Sequence, residues 1–171
     1  MMKIPYLFRG ALLALGLFCG TAVHAADRGA PQAHDRGRYL VVISGCNDCH
    51  TPGYPETGGK LAEKQWLVGS PVGFQGPWGV TYPSNLRLSV QEMSEAQWIA
   101  KARTVMRPPM PSPSLIAMSD PDLRVIYRYI RKLGGAGSPA PDYVPPGQLV
   151  NTPYIEFVPK NLPPIVAGAG S

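Results

Sequence analysis

The sequence predicts an all-α domain, in which three main helices are joined by long loops and followed by an extended C-terminal tail. Three observations support this fold class. Three segments carry apolar residues at helical spacing. The 171 residues include 20 prolines and 19 glycines, which favours long loops. With 44% hydrophobic and 16% charged residues, the chain is nevertheless globular rather than a disordered polar segment. This length corresponds to one domain. The sequence has no glycine period, which excludes a collagen, and no internal repeat, which excludes a solenoid.

The N-terminal residues 1–25 have the pattern of a secretory signal peptide. Lys3 and Arg9 precede a short apolar run, and small residues follow it up to Ala25. This order predicts export and cleavage after Ala25 or Ala26. The apolar run is much shorter than the ~20 residues that span a bilayer. We therefore expect a periplasmic protein with no stable membrane span after cleavage.

Cleavage would leave a domain at residues 26–133 and a Pro-rich extension at 134–171. It would also remove Cys19, so that Cys46 and Cys49 are the cysteines of the mature chain. The signal segment carries two basic and no acidic residues, and its loss would lower the formal net charge of +5 by two. A mild positive charge without an arginine–lysine cluster does not predict nucleic-acid binding.

The two remaining cysteines belong to the motif Cys46-Asn47-Asp48-Cys49-His50. This is C-x-x-C-H, the signature of covalent haem attachment. Thiols three positions apart on a helical turn lie on one side of the backbone. There they can form thioethers with the two vinyl groups of a protoporphyrin, and His50 falls beneath the iron as proximal ligand. The sequence therefore predicts one haem c, attached through Cys46 and Cys49.

Three other uses of the cysteine pair agree less well with the sequence. A thioredoxin-like redox pair requires βαβ surroundings, which the pattern does not show. A zinc site requires four ligands, and the mature chain adds only His50 and the distant His34 to the cysteines. A structural disulfide is compatible with an oxidising compartment but leaves His50 unexplained.

Two stretches of the chain resemble class I c-type cytochromes. Residues 37–45, which lead into the haem motif, resemble the N-terminal helix of that family. Met110-Pro111 and the later residues 118–130 resemble its ligand loop and C-terminal helix. The resemblance covers about residues 35–133. It implies a cytochrome c fold, in which Pro- and Gly-rich loops wrap one covalent haem.

The resemblance also implies a methionine sulfur as the second axial ligand of the iron. The family places this methionine in a Met-Pro pair shortly before the last helix, and Met110 matches that position. Four prolines within residues 107–113 predict a stiff, extended loop there. Met106, at the end of the second predicted helix, is the alternative ligand. Met93 and Met118 precede helix caps, where packing explains them.

Capping patterns set the bounds of the predicted helices. Ser94 and Gln97 form a capping box, and so do Ser119 and Asp122. Paired glycines end the last helix. The predicted helices cover residues 36–45, 95–106 and 120–133.

Apolar stripes indicate how the first and third helices meet. The first helix carries Tyr39, Leu40 and Ile43 on one face, and Gly37 allows another helix to approach closely. The third helix carries a longer stripe. Its members are Leu123, Ile126, Tyr127 and Ile130.

Residues 51–93 are expected to form a loop without regular structure that packs on the cofactor. Trp78, Tyr82 and Asn85 are candidate hydrogen-bonding partners of the haem propionates. A carbonyl within residues 52–55 is the candidate acceptor for the second ring nitrogen of the proximal histidine.

The resemblance implies an electron carrier that is not an enzyme in its own right. Its donor would be a periplasmic dehydrogenase, and its acceptor an oxidase or another cytochrome. One alternative is a haem-based peroxidase or gas sensor with an open sixth coordination site. Another is a structural subunit that anchors a dehydrogenase through its tail, whose aromatic residues suit either wrapping over the domain or docking on a partner.

Overall fold

The computed structural model describes residues 29–161, with side chains from residue 34 onward. The predicted signal peptide at residues 1–25 and the end of the tail lie outside this range. The described chain forms six α-helices and three short strands. The helices are α1 Gly29–Ile43, α2 Cys46–His50, α3 Leu86–Glu92, α4 Glu95–Ala102, α5 Ser112–Ala117 and α6 Asp120–Leu133. The strands are β1 Gly73–Gly76, β2 Gly79–Thr81 and β3 Tyr154–Glu156, in the order β2-β1-β3.

Helices dominate the structure, as expected, but the small sheet has no counterpart in an all-α prediction. A single 3-10 turn, Glu63–Gln65, lies in the long segment between α2 and β1. Within residues 29–161, no helix has both the length and the apolar character needed to cross a bilayer. The cytochrome c fold itself stays a prediction.

Helices α1 and α6 pack closely around Gly37. A Cβ atom at this position would lie 2.3 Å from the carbonyl oxygen of Val125 and 2.6 Å from the Cβ of Tyr129. No side chain fits there without moving the backbone of α6. The predicted role of Gly37 in allowing another helix to approach is therefore confirmed.

The buried face of α1 differs from the predicted one. Tyr39 and Ile43 expose 54% and 57% of their surface, whereas Leu40 and Val41 are buried. The prediction that Tyr39 and Ile43 contact the other helix is wrong, because the face that includes Gly37 also contains Leu40 and Val41 at helical spacing. On α6, all four residues of the predicted stripe are buried, so that prediction is confirmed.

The capping box at the start of α4 is confirmed. The Ser94 hydroxyl accepts from the Gln97 N–H, and the Gln97 side chain accepts from the Ser94 N–H at 2.7 Å. At α6, Ser119 caps the helix as predicted. However, the Asp122 carboxylate accepts from the Ser119 hydroxyl and from Arg36 rather than closing a reciprocal box.

Helix α4 ends at Ala102, four residues earlier than predicted. Beyond it, the Arg103 guanidinium donates to the carbonyls of Leu115 and Ile116 and to the carboxylate of Asp120. These bonds tie the chain to α5 and to the start of α6. A helix continued to its predicted end would redirect the chain that leads to α5, and would take Leu115 and Ile116 out of the reach of Arg103.

Two segments expected to be irregular contain regular structure. The loop at residues 51–93 holds the β1–β2 hairpin and helix α3, whose N-cap is Asn85. The proline-rich segment leads directly into α5, which has Pro113 in its first turn. Proline is tolerated there because the first N–H groups of a helix have no intrahelical acceptor. The prediction of a fully extended segment through residue 113 is therefore wrong.

The described part of the tail packs on the domain. Strand β3 pairs in parallel with β1, and the Gly73 N–H donates to the Pro153 carbonyl at 2.9 Å. Earlier in the tail, Val144 forms an antiparallel bridge with Val80 of β2. Of the two roles considered for the tail, wrapping is the one observed in this segment.

Candidate cofactor-binding site

A left-handed glycine directs the chain from α1 into the C-x-x-C-H turn. Gly45 has φ of +67°, and a Cβ atom there would lie 3.0 Å from the Asp48 carboxylate. The short helix α2 then carries Cys46, Cys49 and His50 to the wall of one cavity. A local backbone requirement thus places all three motif side chains at the same site.

This cavity has a volume of about 610 Å³. That lies within the range of ~300–1,000 Å³ typical of sites for small molecules and cofactors. Its walls are mainly apolar and come from helices α2 to α6, from strands β1 and β2, and from the loop between α4 and α5. The predicted site residues that line it are Cys46, Cys49, His50, Tyr82 and Met110.

The ring of His50 is buried and oriented by a backbone carbonyl. Its Nδ1 lies 2.7 Å from the carbonyl oxygen of Ser84, which can only accept, so Nδ1 carries the proton. Nε2 is then the nitrogen that remains for a metal. The prediction that a carbonyl within residues 52–55 accepts this hydrogen bond is wrong, because the segment before α3 brings the Ser84 carbonyl to the ring instead. Burial lowers the pKa of His50 and outweighs the opposing effect of this bond, which favours the neutral imidazole that binds metals.

The two cysteines lie in surroundings that keep them protonated. Burial, together with the nearby charge of Asp48, raises the pKa of the Cys46 thiol to about 11. Burial and then the same carboxylate also raise the pKa of Cys49. Catalytic redox pairs have lowered thiol pKa values, so these surroundings do not favour a thioredoxin-like function.

The described residues offer no alternative metal cluster. Among them, no three histidine, cysteine or acidic side chains are grouped to hold a metal ion. His34 packs instead against the ring of Tyr129, with the ring centroids 5.1 Å apart. A four-ligand zinc site at the cysteine pair therefore has no support from this part of the chain.

Three methionines line the cavity, namely Met106, Met110 and Met118. Met118 also packs against the hydrophobic core, as the sequence indicated. Met93 packs against the core too, and its carbonyl accepts from the Tyr127 hydroxyl at 2.8 Å. The cavity thus contains more thioether groups than the one that a haem iron would require.

Met106 and Met110 belong to a hydrogen-bonded turn, defined here as the methionine loop, residues 106–112. The Ser112 hydroxyl accepts from the Met106 N–H at 2.8 Å, and the Ser112 N–H donates to the Met110 carbonyl at 2.8 Å. The Met110 N–H in turn donates to the Arg107 carbonyl at 3.3 Å. Internal hydrogen bonds, rather than proline stiffness alone, hold this loop in shape.

Of the three predicted propionate contacts, Tyr82 lies at the cavity. Its hydroxyl oxygen is 2.5 Å from the hydroxyl oxygen of Thr152 in the tail. Trp78 borders a second hollow of about 430 Å³, next to Pro108 and Phe157. Its buried indole N–H has no acceptor within the described range.

Both the oxygen and the nitrogen of the Asn85 side-chain amide form hydrogen bonds within the protein. Asn85 is not among the residues that line the cavity. Its oxygen accepts from the Leu88 N–H, which caps α3. Its nitrogen donates to the carbonyls of Ala136 and Ser138. The structure therefore does not bring Asn85 together with the motif residues.

The sequence interpretation missed three residues of this site, Thr81, Ser84 and Ser112. Ser84 acts through its carbonyl oxygen, which no side-chain pattern reveals. Ser112, the last residue of the methionine loop, is buried. Thr81 lines the cavity, and its buried hydroxyl has no hydrogen-bond partner within residues 29–161. A β-strand pattern after Trp78 was the signal that could have located Thr81.

The cavity fits a haem by the chemistry of its walls. A haem has an apolar ring and two carboxylates, and a buried hydroxyl without a partner suits a carboxylate oxygen. Besides Thr81, the cationic residues Lys101 and Arg107 are among those that line this cavity. The apolar walls suit the ring, and the cysteine, imidazole and thioether groups suit its vinyl groups and iron.

Comparison of the chain with family models, with curated proteins and with solved structures found no match.

Proposed function

We propose that this protein is a periplasmic, monohaem electron carrier of the c-type cytochrome class. One observation carries the proposal. Two protonated thiols, an imidazole with its Nδ1 engaged and methionine thioethers all reach one mainly apolar cavity. This combination suits covalent haem and two protein ligands to its iron.

The cysteines would hold the cofactor covalently. The Cys46 and Cys49 thiols would each add across one vinyl double bond of a haem. The sulfur would bond to one vinyl carbon, the thiol hydrogen would go to the other, and nothing would leave. The step therefore consumes no oxidant. A bound haem supplies a metal centre that takes up and releases one electron.

His50 and Met110 are the proposed axial ligands. The Ser84 carbonyl fixes the plane of the His50 ring and makes its Nε2 more basic. A methionine sulfur is a soft ligand that raises the reduction potential of haem iron. Ser112 closes the methionine loop and the Ser84 carbonyl holds the His50 ring, so both ligands can keep their places when the charge changes. The mainly apolar walls would limit solvent reorganisation around the haem.

Substrate chemistry would belong to partner proteins. We propose a periplasmic dehydrogenase as electron donor and an oxidase or another cytochrome as acceptor. To test each candidate donor, the oxidised protein is mixed with it and the haem absorbance is followed. Each candidate acceptor is tested in the same way with the reduced protein. A haem absorbance that does not change after mixing would exclude that partner.

The first experiment tests covalent attachment. Protein exported with its signal peptide should keep its haem through denaturing electrophoresis and acid extraction. Cys46→Ala and Cys49→Ala should each weaken this retention, and the double variant should lose it completely. The matched control, Met93→Ala, should retain the haem fully. Haem that extracts from the unaltered protein would contradict the proposal.

The second experiment distinguishes a closed site from an open one. The oxidised protein should show the weak long-wavelength band of sulfur bound to ferric iron, and the reduced protein should bind carbon monoxide poorly. Rapid carbon monoxide binding together with the absence of that band would favour the peroxidase or gas-sensor alternative.

The third experiment assigns the methionine ligand. Met110→Ala should abolish the long-wavelength band and lower the reduction potential, because a soft ligand is lost. Met106→Ala and Met118→Ala should retain the band. If Met106→Ala abolishes it instead, Met106 is the ligand.

A further inference from the structure

The tail, defined here as residues 134–161, contacts the cavity wall at three places. Each contact joins a residue that lines the cavity to a side chain of the tail. Phe157 lies edge-on to Phe74 with ring centroids 6.3 Å apart, Thr152 bonds Tyr82, and Tyr143 stacks on Arg107. The tail therefore forms an outer layer behind the cavity wall.

The contact between Arg107 and Tyr143 reaches the methionine loop directly. The guanidinium carbon of Arg107 lies 3.9 Å from the centroid of the Tyr143 ring, a close cation–π geometry. The hydroxyl of Tyr143 donates to the Trp78 carbonyl at 2.8 Å. The next residue, Val144, pairs through its backbone with Val80. The Tyr143 hydroxyl and the backbone of the next residue thus both bind the β1–β2 hairpin, which holds the tyrosine ring in place.

Arg107 lies between the two candidate methionine ligands. Its carbonyl accepts from the Met110 N–H, and its own amide directly follows Met106. The Ser112 hydroxyl closes the loop by accepting from the Met106 N–H. The Arg107 side chain connects the loop to the tail. A displacement of Arg107 would therefore move whichever methionine binds the iron.

We propose that Tyr143 is a positioning residue that holds the methionine loop in place through Arg107, and so strengthens the bond between the iron and its methionine ligand. This inference rests on the proposed function, because it concerns methionine ligation. Tyr143 itself does not line the cavity. Its effect requires the aromatic ring beneath the guanidinium, and the hydroxyl contributes by fixing that ring.

The experiment measures how readily imidazole replaces the methionine in oxidised full-length protein. Loss of the long-wavelength band is titrated with imidazole for the unaltered protein and for Tyr143→Leu, Tyr143→Phe and Tyr154→Ala. Leucine keeps apolar bulk but removes the π face, whereas phenylalanine keeps the face and removes the hydroxyl. Tyr154 is a matched control, because it is an exposed tyrosine of the same tail and is not among the cavity-lining residues.

Tyr143→Leu should increase the apparent affinity for imidazole by about twofold to thirtyfold, which corresponds to the range of cation–π energies. Tyr143→Phe should lie close to the unaltered protein, and Tyr154→Ala should match it. Arg107→Ala should have an effect similar to that of Tyr143→Leu. The double variant should not exceed the larger single effect, since both changes remove one interaction.

Additive effects of Arg107→Ala and Tyr143→Leu would overturn the inference, because the two side chains would then act independently. The inference would also be overturned if Tyr143→Leu had the same affinity for imidazole as Tyr154→Ala. If the unaltered protein shows the sulfur band in that experiment, the proposed function stands. If the unaltered protein binds haem covalently but lacks the band, methionine ligation and this inference both fail.

Discussion

The α1–α6 pair and the cavity wall are held together by different interactions. In the pair, Gly37 allows backbone-to-backbone contact, and fully buried residues such as Leu123 and Ile130 fill the interior. Around the cavity wall, side chains join the elements by hydrogen bonds to backbone groups elsewhere in the chain. Examples are Asn85, the N-cap of α3, which reaches the tail, and Arg103, next to the end of α4, which reaches α5.

This difference indicates which region depends on a ligand. The helix pair buries most of its apolar surface within the protein, although Ile126 and Ile130 of α6 also line the cavity. In the wall, apolar side chains face a cavity of about 610 Å³. An empty apolar cavity lacks the contacts that a packed interior has, and a bound group would restore them. The wall should therefore be the region whose stability follows cofactor loading.

The largest expected effect comes from loss of the proposed haem. Cys46→Ala/Cys49→Ala should lower the free energy of unfolding by more than about 4 kcal/mol, the linkage energy of a ligand at a thousandfold excess over its dissociation constant. Hydrogen exchange should accelerate most in residues 73–89 and 103–118, and least at the contact of α1 with α6. A uniform acceleration in both regions would contradict the comparison.

The second largest effect tests the helix pair. Gly37→Ala should destabilise the haem-loaded protein by about 3 kcal/mol, because the added methyl group meets a carbonyl oxygen that cannot move alone. The long-wavelength sulfur band should be unchanged before unfolding begins. At Gly135, a Cβ atom would meet its nearest neighbours at an ordinary 3.8 Å. Gly135→Ala should therefore change stability by less than about 0.5 kcal/mol.

A third prediction concerns Arg87, which joins the two regions. This buried guanidinium on α3 donates to the carbonyls of Leu133 and Gly134 at the end of α6, and to that of Lys64. Arg87→Met should cost about 2 kcal/mol in chemical denaturation, because hydrogen bonds to a charged group are lost.

The matched control for Arg87→Met is Arg124→Met. Arg124 is an exposed arginine that lies 3.9 Å from Glu95, and such surface pairs contribute little. We expect a change below about 0.5 kcal/mol for this control. Equal losses for the two variants would show that burial of Arg87 has no special role.

The smallest expected effect depends on pH. Hydrogen bonds from Arg36 hold the pKa of Asp122 below its usual value, against a smaller opposing effect of burial. A carboxyl with a lowered pKa stabilises the fold above its unfolded pKa, and this contribution is lost as pH falls through the folded value. Asp122→Asn should therefore cost about 0.5 kcal/mol at pH 7 in urea unfolding, and the cost should shrink towards pH 3.

Asp142→Asn serves as the control for this pH dependence. Asp142 is an exposed carboxylate of the tail without an ion-pair partner among the described residues. Its replacement should leave stability unchanged at both pH values. A cost for Asp122→Asn that is the same at pH 7 and pH 3 would assign the effect to lost packing rather than to charge.

More of the helix pair than of the cavity wall could be predicted from the sequence, although the predicted buried face of α1 was wrong. The caps at Ser94 and Ser119 and the bounds of α6 are patterns within four residues. Helix α3 was missed even though Asn85 provides a cap, because its short apolar pattern lies in a Pro- and Gly-rich region. The end of α4 was also missed, since the bonds of Arg103 to α5 override the helical pattern.

By itself, the sequence determined the motif Cys46–His50, the close approach at Gly37 and the methionines available as ligands, because these depend on residue type and short spacing. The tertiary structure decided which carbonyl orients His50, how Ser112 closes the methionine loop and where Tyr143 of the tail meets it. These contacts join groups that chain closure brings together, such as His50 and Ser84, 34 residues apart. Their energies depend on the whole packed arrangement, which no local pattern specifies.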